Sequence, residues 1–280
     1  MSQTTVAPPE KIRLRSLTGA AETLLIMLTA KANECRRPDG ILRDPKVLEI
    51  CDRLEDDVSR LRPSWITQLA ICVRTEIFDD WAREYLARHP DATVINLGCG
   101  LDTRFPRIDN GRLRWFDVDF PEPLKIRRQF FAESDRLKMI PCSATDPSWT
   151  EAIGRPAHVL VLSEGMTMFL TEDEMKGLVK LLADRFPGCE FIYDAITPFQ
   201  VKRAGRFDTF AKTSGQWRWG VWTGRELLAW DPRIEFVKEE SVFERHRRRW
   251  RWLRLPLAIP WFARAVRSHV THLRLRATPS

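Results

Sequence analysis

The sequence lacks the features that mark several large function classes. Its six cysteines (Cys35, Cys51, Cys72, Cys99, Cys142 and Cys189) are scattered, with no CxxC pair, and only five histidines accompany them. No spacing therefore supports a zinc site, and no metal is expected. The opening stretch MSQTTVAPPEKIRLR has no apolar signal core, which predicts a cytoplasmic protein with reduced thiols. No apolar run is long enough to span a bilayer. The most apolar late stretch, residues 252–263, is short and is broken by Arg254, Pro256 and Pro260, so no transmembrane segment is expected. A dinucleotide fingerprint is also missing: after Gly98 and Gly100, Thr103 stands where GxGxxG needs its third glycine.

What the sequence does contain is an ordinary apolar fraction, 44% of 280 residues, with 30% charged. That fits one large domain or two small ones and argues against overall disorder. The formal net charge is +7, but it is not spread evenly. Residues 244–280 carry ten arginines and no lysine against one acid, so the rest of the chain is slightly acidic. A near-neutral body with one basic segment does not fit a general polyanion binder, and no nucleic-acid partner is expected.

Residues 1–10 read as a floppy leader. From Thr18 to about Arg88 apolar residues recur at helical spacing, punctuated by Gly40, Pro45 and Pro63. The texture then changes. Short apolar runs at Thr93–Leu97, Leu113–Val118, Arg136–Cys142, Ala157–Leu162 and Phe191–Tyr193 alternate with helical stretches at 121–134, 147–153 and 171–186. Thr171 with Glu174 fits a capping box. The alternation implies parallel strands in a doubly wound sheet. An irregular insertion, 196–222, precedes a helix at 223–230, a strand near 233–243 and a last strand around Thr271–Leu275. The division expected is a helical N-terminal cap over 1–90 and an α/β domain over 91–280 that ends in the basic segment 244–280.

Four places stand at predicted strand mouths, where ligands bind in open α/β sheets. VINLGCGLDTR, residues 94–104, runs from a strand into Gly98 and Gly100; a glycine there lets a ligand approach the backbone, and a tight turn without a ligand is the plain alternative. WFDVDFPEP places Asp117 and Asp119 at the end of the next strand, where a carboxylate can accept two vicinal ribose hydroxyls. Two positions apart on a strand, they point the same way; either can serve, and Asp119 at the mouth is the first choice. Ser143 and Asp146 follow the third strand, where either can read an exocyclic amine, with helix capping as the competing role for Asp146. Glu164, in LSEGMTMFLTEDE, follows the fourth strand and suits a cationic ligand group, with Met166, Met168 and Phe169 as an apolar wall or as ordinary core.

Taken in order, GCGLDTR, DVDFPEP, SATD and SEGMTMFL resemble the leucine carboxyl methyltransferase family, and more closely its bacterial branch of tetracenomycin-type polyketide O-methyltransferases. KANECRRPDGILRDPKVLEI resembles that branch's N-terminal signature. The resemblance implies a class I, Rossmann-like fold: a seven-stranded, mostly parallel sheet with a helical N-terminal cover, using S-adenosylmethionine to methylate a small-molecule acceptor. It implies that Gly98 and Gly100 lie beneath the methionine part of that cofactor. It further implies that Asp119 binds the ribose, Asp146 lies near the adenine amine and Glu164 lies near the amino group. Arg74, in VRTEIFDDW, matches the arginine that clamps the cofactor's carboxylate, a task suited to a guanidinium fork, and Lys31 matches a base that helps at the same end.

No catalytic residue is identified. A carboxylate acceptor is ionised near neutral pH and needs no general base, whereas an alcohol usually does. His89 and His158, the candidate bases, stand outside the strand mouths, which favours a carboxylate or an acidic hydroxyl as acceptor. Two rival readings remain: a nicotinamide-dependent oxidoreductase, and a non-enzymatic cofactor-binding protein whose Arg/Trp-rich residues 245–267 lie on an anionic membrane. The oligomeric state is open. Trp217, Trp219 and Trp222 point either to a bulky flat acceptor or to aromatic core packing.

Overall fold

The computed structural model describes residues 20–54, 63–203 and 216–277. The leader expected over 1–10 and the middle of the expected insertion fall outside these residues.

The chain begins with three helices, α1 (Ala20–Cys35), α2 (Pro45–Arg53) and α3 (Trp65–Arg88). Asp44 caps α2 by accepting the Val47 N–H at 3.0 Å, just ahead of the proline that opens the helix. Ser64 caps α3 in the same way through Thr67. With no glycine or proline inside it, α3 runs 24 residues and crosses the sheet as a brace. Its buried Val73, Ile77 and Trp81 join the core, and its neighbouring positions carry Arg74, Thr75 and Asp79.

Strands and helices then alternate as β1 (Thr93–Leu97), α4 (Arg104–Ile108), β2 (Arg114–Asp119), α5 (Pro121–Arg127), β3 (Leu137–Pro141), α6 (Trp149–Ile153), β4 (Val159–Ser163), α7 (Glu172–Arg185) and β5 (Glu190–Ala195). After α8 (Pro198–Lys202) come β6 (Ile234–Ser241), α9 (Arg254–Leu257), α10 (Pro260–Val266) and β7 (His269–Leu275). The seven strands form one sheet in the order β3-β2-β1-β4-β5-β7-β6. β1 to β5 are parallel; β7 runs antiparallel to both β5 and β6.

Every residue of β1, β4 and β5 is buried. Their mostly apolar runs, with polar residues at or near the ends, are what a strand covered on both faces requires. One core packs β1, β2 and β4 against α2 and α3 through residues such as Phe78, Trp81, Trp115 and Leu160. The other packs the opposite face against α6 and α7 through Trp149, Met175, Leu182 and Phe191. From β1 the strand order runs one way to β2 and β3 and the other way to β4 and β5. The crevice between the carboxyl ends of β1 and β4 is therefore the switch point where open α/β sheets take ligands.

The expected elements are present, with differences at their ends. The Thr171–Glu174 capping box forms. The helix expected at 121–134 stops at Arg127, and the one expected at 223–230 is a 3-10 run, Gly224–Ala229. Of the three tryptophans in the expected insertion, Trp219 is core, packed by Tyr193 and Trp230. Trp222 is half-buried beneath the Arg264 guanidinium. No helix among the described residues is long and apolar enough to cross a membrane.

Candidate functional site

β1 delivers the chain to Gly98 and Gly100, both at positive φ, 63° and 45°. A Cβ built on Gly98 would lie 2.8 Å from Met166 Cγ, and one on Gly100 would lie 2.3 Å from Leu24 Cδ2. Glycine is required at Gly98 for two reasons, the backbone conformation and the close approach of the β4 loop. β2 ends in Asp119, whose carboxylate accepts the Gly100 N–H and the Phe120 N–H, each at 2.7 Å. These bonds tie the glycine turn to the next strand, and burial pushes the Asp119 carboxyl up from its ordinary range.

Asp117 sits differently, and the expectation that it serves as well as Asp119 is corrected here. Asp117 is fully buried, and its oxygens accept Asn96 Nδ2 at 3.0 Å, Trp115 Nε1 at 2.8 Å and Arg127 Nε at 2.8 Å. Arg127 in turn donates to the carbonyls of Gly100, at 3.3 Å, and Asp102, at 2.6 Å. Asp117 therefore pins the glycine turn from below and does not reach the crevice. Sharing a face is not sharing a depth: one residue is inside the sheet and the other at its rim.

β4 ends beside Glu164, the hub of a buried ion cluster. Its Oε1 accepts Thr75 Oγ1 at 2.8 Å and Arg74 Nε at 3.2 Å, with Lys31 Nζ at 3.7 Å. Its Oε2 accepts Arg104 Nη2. Burial alone would raise the Glu164 carboxyl, but Lys31, Arg104 and Arg74 hold it well below the usual carboxylate range. Arg74 also donates to Asp194, at the end of β5, at 2.6 Å, and to Met27 Sδ at 3.0 Å. Asp194 accepts the Gly165 N–H at 2.6 Å, so it fixes the loop after β4 as well as Arg74; burial pushes its carboxyl up, and Arg74 offsets this only in part. Arg104, with no exposed surface, reaches Asp79 at 2.8 Å and Asp102 at 2.5 Å besides Glu164. Lys31 Nζ lies 3.8 Å from Asp102. Cations and carboxylates alternate around the ring, which is how buried charges become tolerable.

Two adjoining chambers open over this floor, sharing Leu24, Gly98, Gly165 and Phe169 as walls. The inner one, about 80 Å³, is lined by Lys31, Arg74, Gly98 and Glu164. The outer one, about 270 Å³, is lined by Gly98, Asp119, Phe120, Ser143, Met166 and Phe169. Most of the sequence-derived site residues are thereby brought together, with Gly100 joined to the site through its N–H. Met166, Met168 and Phe169 are wall residues. Asp146 is exposed and lies outside both linings; it accepts the Ser148 N–H at 2.8 Å, the capping role, through one of its two carboxylate oxygens. Ser143 and Thr145, whose hydroxyls bond each other at 2.9 Å, are the polar residues of that turn that line the outer chamber.

Asp194 and Arg104 were missed by the sequence reading. Asp194 ends an apolar strand, the same signal that marked Glu164. Arg104 had no signal of its own, because its partners come from α3 and from the loop after β4. His89 and His158, the expected candidate bases, stack on each other with ring centroids 3.9 Å apart, beside the amino-terminal ends of β1 and β4 and so opposite the site. No histidine lines either chamber.

Comparison with known proteins agrees with this geometry. The profile of the leucine carboxyl methyltransferase family matches residues 24–183, the span that carries every chamber-lining residue named above. The tetracenomycin polyketide synthesis O-methyltransferase TcmP of Streptomyces glaucescens is 32% identical over 229 residues, 81% of this chain and 85% of that protein. The S-adenosyl-L-methionine-dependent methyltransferase dpfgK of Gibberella zeae is 33% identical over 189 residues, 61% of this chain and 63% of that one. In fold, the chain is similar to a DUF574 family protein from Streptomyces avermitilis, with a TM-score of 0.57 at 14% identity over 89% of this chain and 96% of that one. The seven-stranded sheet, the chambers at its switch point and these matches agree: the chain belongs to the leucine carboxyl methyltransferase family and is a methyltransferase that uses S-adenosylmethionine.

Proposed function

We propose that the chain methylates an oxygen of a small acidic acceptor, a carboxylate or an acidic hydroxyl, and that its acceptor is polyketide-like. The observation that carries the cofactor half of this reading is the order of groups along the two chambers. S-adenosylmethionine has an amino acid at one end, carrying both an ammonium and a carboxylate, then a sulfonium, a ribose diol and a base. The inner chamber offers Glu164 to an ammonium and Arg74 with Lys31 to a carboxylate. Gly98 leaves room where a side chain would intrude. Asp119 stands ready for a diol, and Ser143 for the edge of a base. The residues fit the group in that sequence, and a dinucleotide, which brings a pyrophosphate, finds no matching loop.

In this reading residues 1–90 act as a helical cap and 91–280 as the catalytic domain, in a cytoplasmic protein. α1 and α3 supply Lys31 and Arg74 from above and exclude water from the reacting atoms. The bound sulfonium supplies an already activated methyl group, so transfer is an in-line displacement by the acceptor oxygen. The protein's task is alignment. An acceptor ionised near neutral pH suits chambers that no histidine lines. The likeness to TcmP supports a polyketide-like acceptor.

Mass spectrometry after incubation with labelled S-adenosylmethionine and a panel of aromatic polyketide acids and small acids tests the acceptor class. Label is expected on an acidic oxygen; label found only on nitrogen or carbon would overturn it. S-adenosylhomocysteine is expected to raise the melting temperature and NAD is not, as ligands that bind the native state alone do. The reverse result would restore the oxidoreductase reading.

Asp119→Asn is expected to bind S-adenosylhomocysteine more than about tenfold more weakly, since a charged acceptor is worth about 1.5–3 kcal/mol per hydrogen bond. The sign of the pH effect follows from burial. The raised Asp119 carboxyl takes its proton at a higher pH than an ordinary aspartate, and the protonated form accepts less well. Calorimetric affinity should therefore fall on acidification in the wild type, starting above the usual aspartate range, and stay flatter in the variant. Equal affinity and parallel pH profiles would remove Asp119 from the site.

A further inference from the structure

Residues 245–267 of the basic segment lie between β6 and β7, so both ends of this stretch are fixed to the sheet. Trp250 and Leu253 anchor it in the core with α2 and α3. Three of its arginines are neutralised: Arg245 by Glu240 and Asp80, Arg249 by Glu34, and Arg267 by Glu239. Arg247, Arg248, Arg251, Arg254 and Arg264 are all exposed, and none forms an ion pair with a described residue. Among these arginines stand Trp252, Leu255, Ile259 and Trp261, exposed by 61%, 77%, 43% and 68%. They are four of the seven exposed large apolar side chains among the described residues, and they fall within ten positions. The chain is held to this arrangement at a cost. Its two non-glycine residues of positive φ among those described, His246 and Arg251, are both here. Arg251 lies at the break between Trp250, which points inward, and Trp252, which points out against the edge of Trp65.

We propose that this face docks on an anionic lipid bilayer. Exposed tryptophan and aliphatic side chains enter the headgroup–acyl boundary, while guanidinium groups beside them meet lipid phosphates. The occupant is chosen by chemistry. Nucleic acid would use Trp252 and Trp261 as stacking rings but would leave the likewise exposed Leu255 and Ile259 in water. A second copy of the chain would bring the same unpaired positive charge against this face. An anionic membrane satisfies both the charge and the aliphatic groups. The proposal does not depend on the acceptor.

Flotation of the full chain with vesicles tests it. At low salt the protein is expected to float with phosphatidylglycerol–phosphatidylcholine vesicles and not with phosphatidylcholine alone, and to be released as salt is raised. The double variant Trp252→Ser, Trp261→Ser is expected to lose vesicle affinity by about tenfold or more while binding S-adenosylhomocysteine like the wild type, which shows that it is folded. Failure to float with the anionic vesicles, undiminished flotation of the double variant, or tighter binding to single-stranded RNA than to the vesicles would each overturn the proposal. So would a dimer in solution that the double variant abolishes.

Discussion

Glu164→Gln is expected to bind S-adenosylhomocysteine more than about tenfold more weakly and to melt at a lower temperature than the wild type. The carboxylate serves Lys31, Arg74, Arg104 and Thr75 at once. An amide of the same shape removes one negative charge from among three cations and turns N–H groups toward at least one of them. Breaking a buried ion pair from one side costs about 3–5 kcal/mol. Part of that cost appears as lost stability. Part appears as lost affinity, because an excess of positive charge repels the ammonium that Glu164 is expected to receive. Titration calorimetry on the variant, checked for native circular dichroism, separates the two. An unchanged affinity with a lowered melting temperature would reduce Glu164 to structural glue and move the ammonium site elsewhere.

Arg104→Leu is expected to be the more damaging change to stability. The guanidinium is wholly buried, lies over the Phe78 ring and is shared by Asp79, Asp102 and Glu164. Asp79 keeps Arg107, Glu164 keeps Arg74 and Lys31, and Asp102 keeps only the more distant Lys31, so removing it leaves an uncompensated excess of buried carboxylate, a loss of about 3–5 kcal/mol. At roughly 2–4 °C per kcal/mol for a chain of this size, the melting temperature should drop by about 10 °C or more. Arg104→Lys should recover only part of the loss, since one ammonium cannot reach three partners with the geometry of a planar fork. Thermal unfolding followed by circular dichroism reads both variants. A melting temperature for Arg104→Leu within about 2 °C of wild type would mean that the ring is not a cooperative unit.

How much of this was legible beforehand depends on the range of the interactions. β1, β4 and β5 could be read because burial on both faces forces continuous apolar runs. Gly98, Asp119 and Glu164 could be read because strand mouths of such a sheet are where chemistry collects. Arg74 carries no local signal: on the sequence it is one charge on a long helix, and only the family resemblance singled it out. Asp117 was placed by strand periodicity, which gives direction and says nothing of depth; its partner Arg127, ten positions on, decides its role. Asp146 showed both a capping pattern and a ligand pattern, and its bond to Ser148 shows that it caps. Asp102 apart, Arg104 and Asp194 act through residues 25 to 120 positions away, separations that no local pattern records. The charge of the C-terminal segment was plain. That five of its ten arginines are paired with acids on α1, α3, β5 and β6 was not.

The place of β7 has a consequence for how the protein is made. This strand is the last of the seven to leave the ribosome, yet it lies inside the sheet, between β5 and β6. Until it emerges, β5 presents an open edge on a strand that is buried throughout in the finished fold, and β6 has no neighbour to pair with. The nascent chain must therefore wait until residues 269–275 have been made before the sheet can close. A ribosome stalled, or a chain cut, anywhere before residue 269 would release a sticky intermediate in place of a shorter working enzyme.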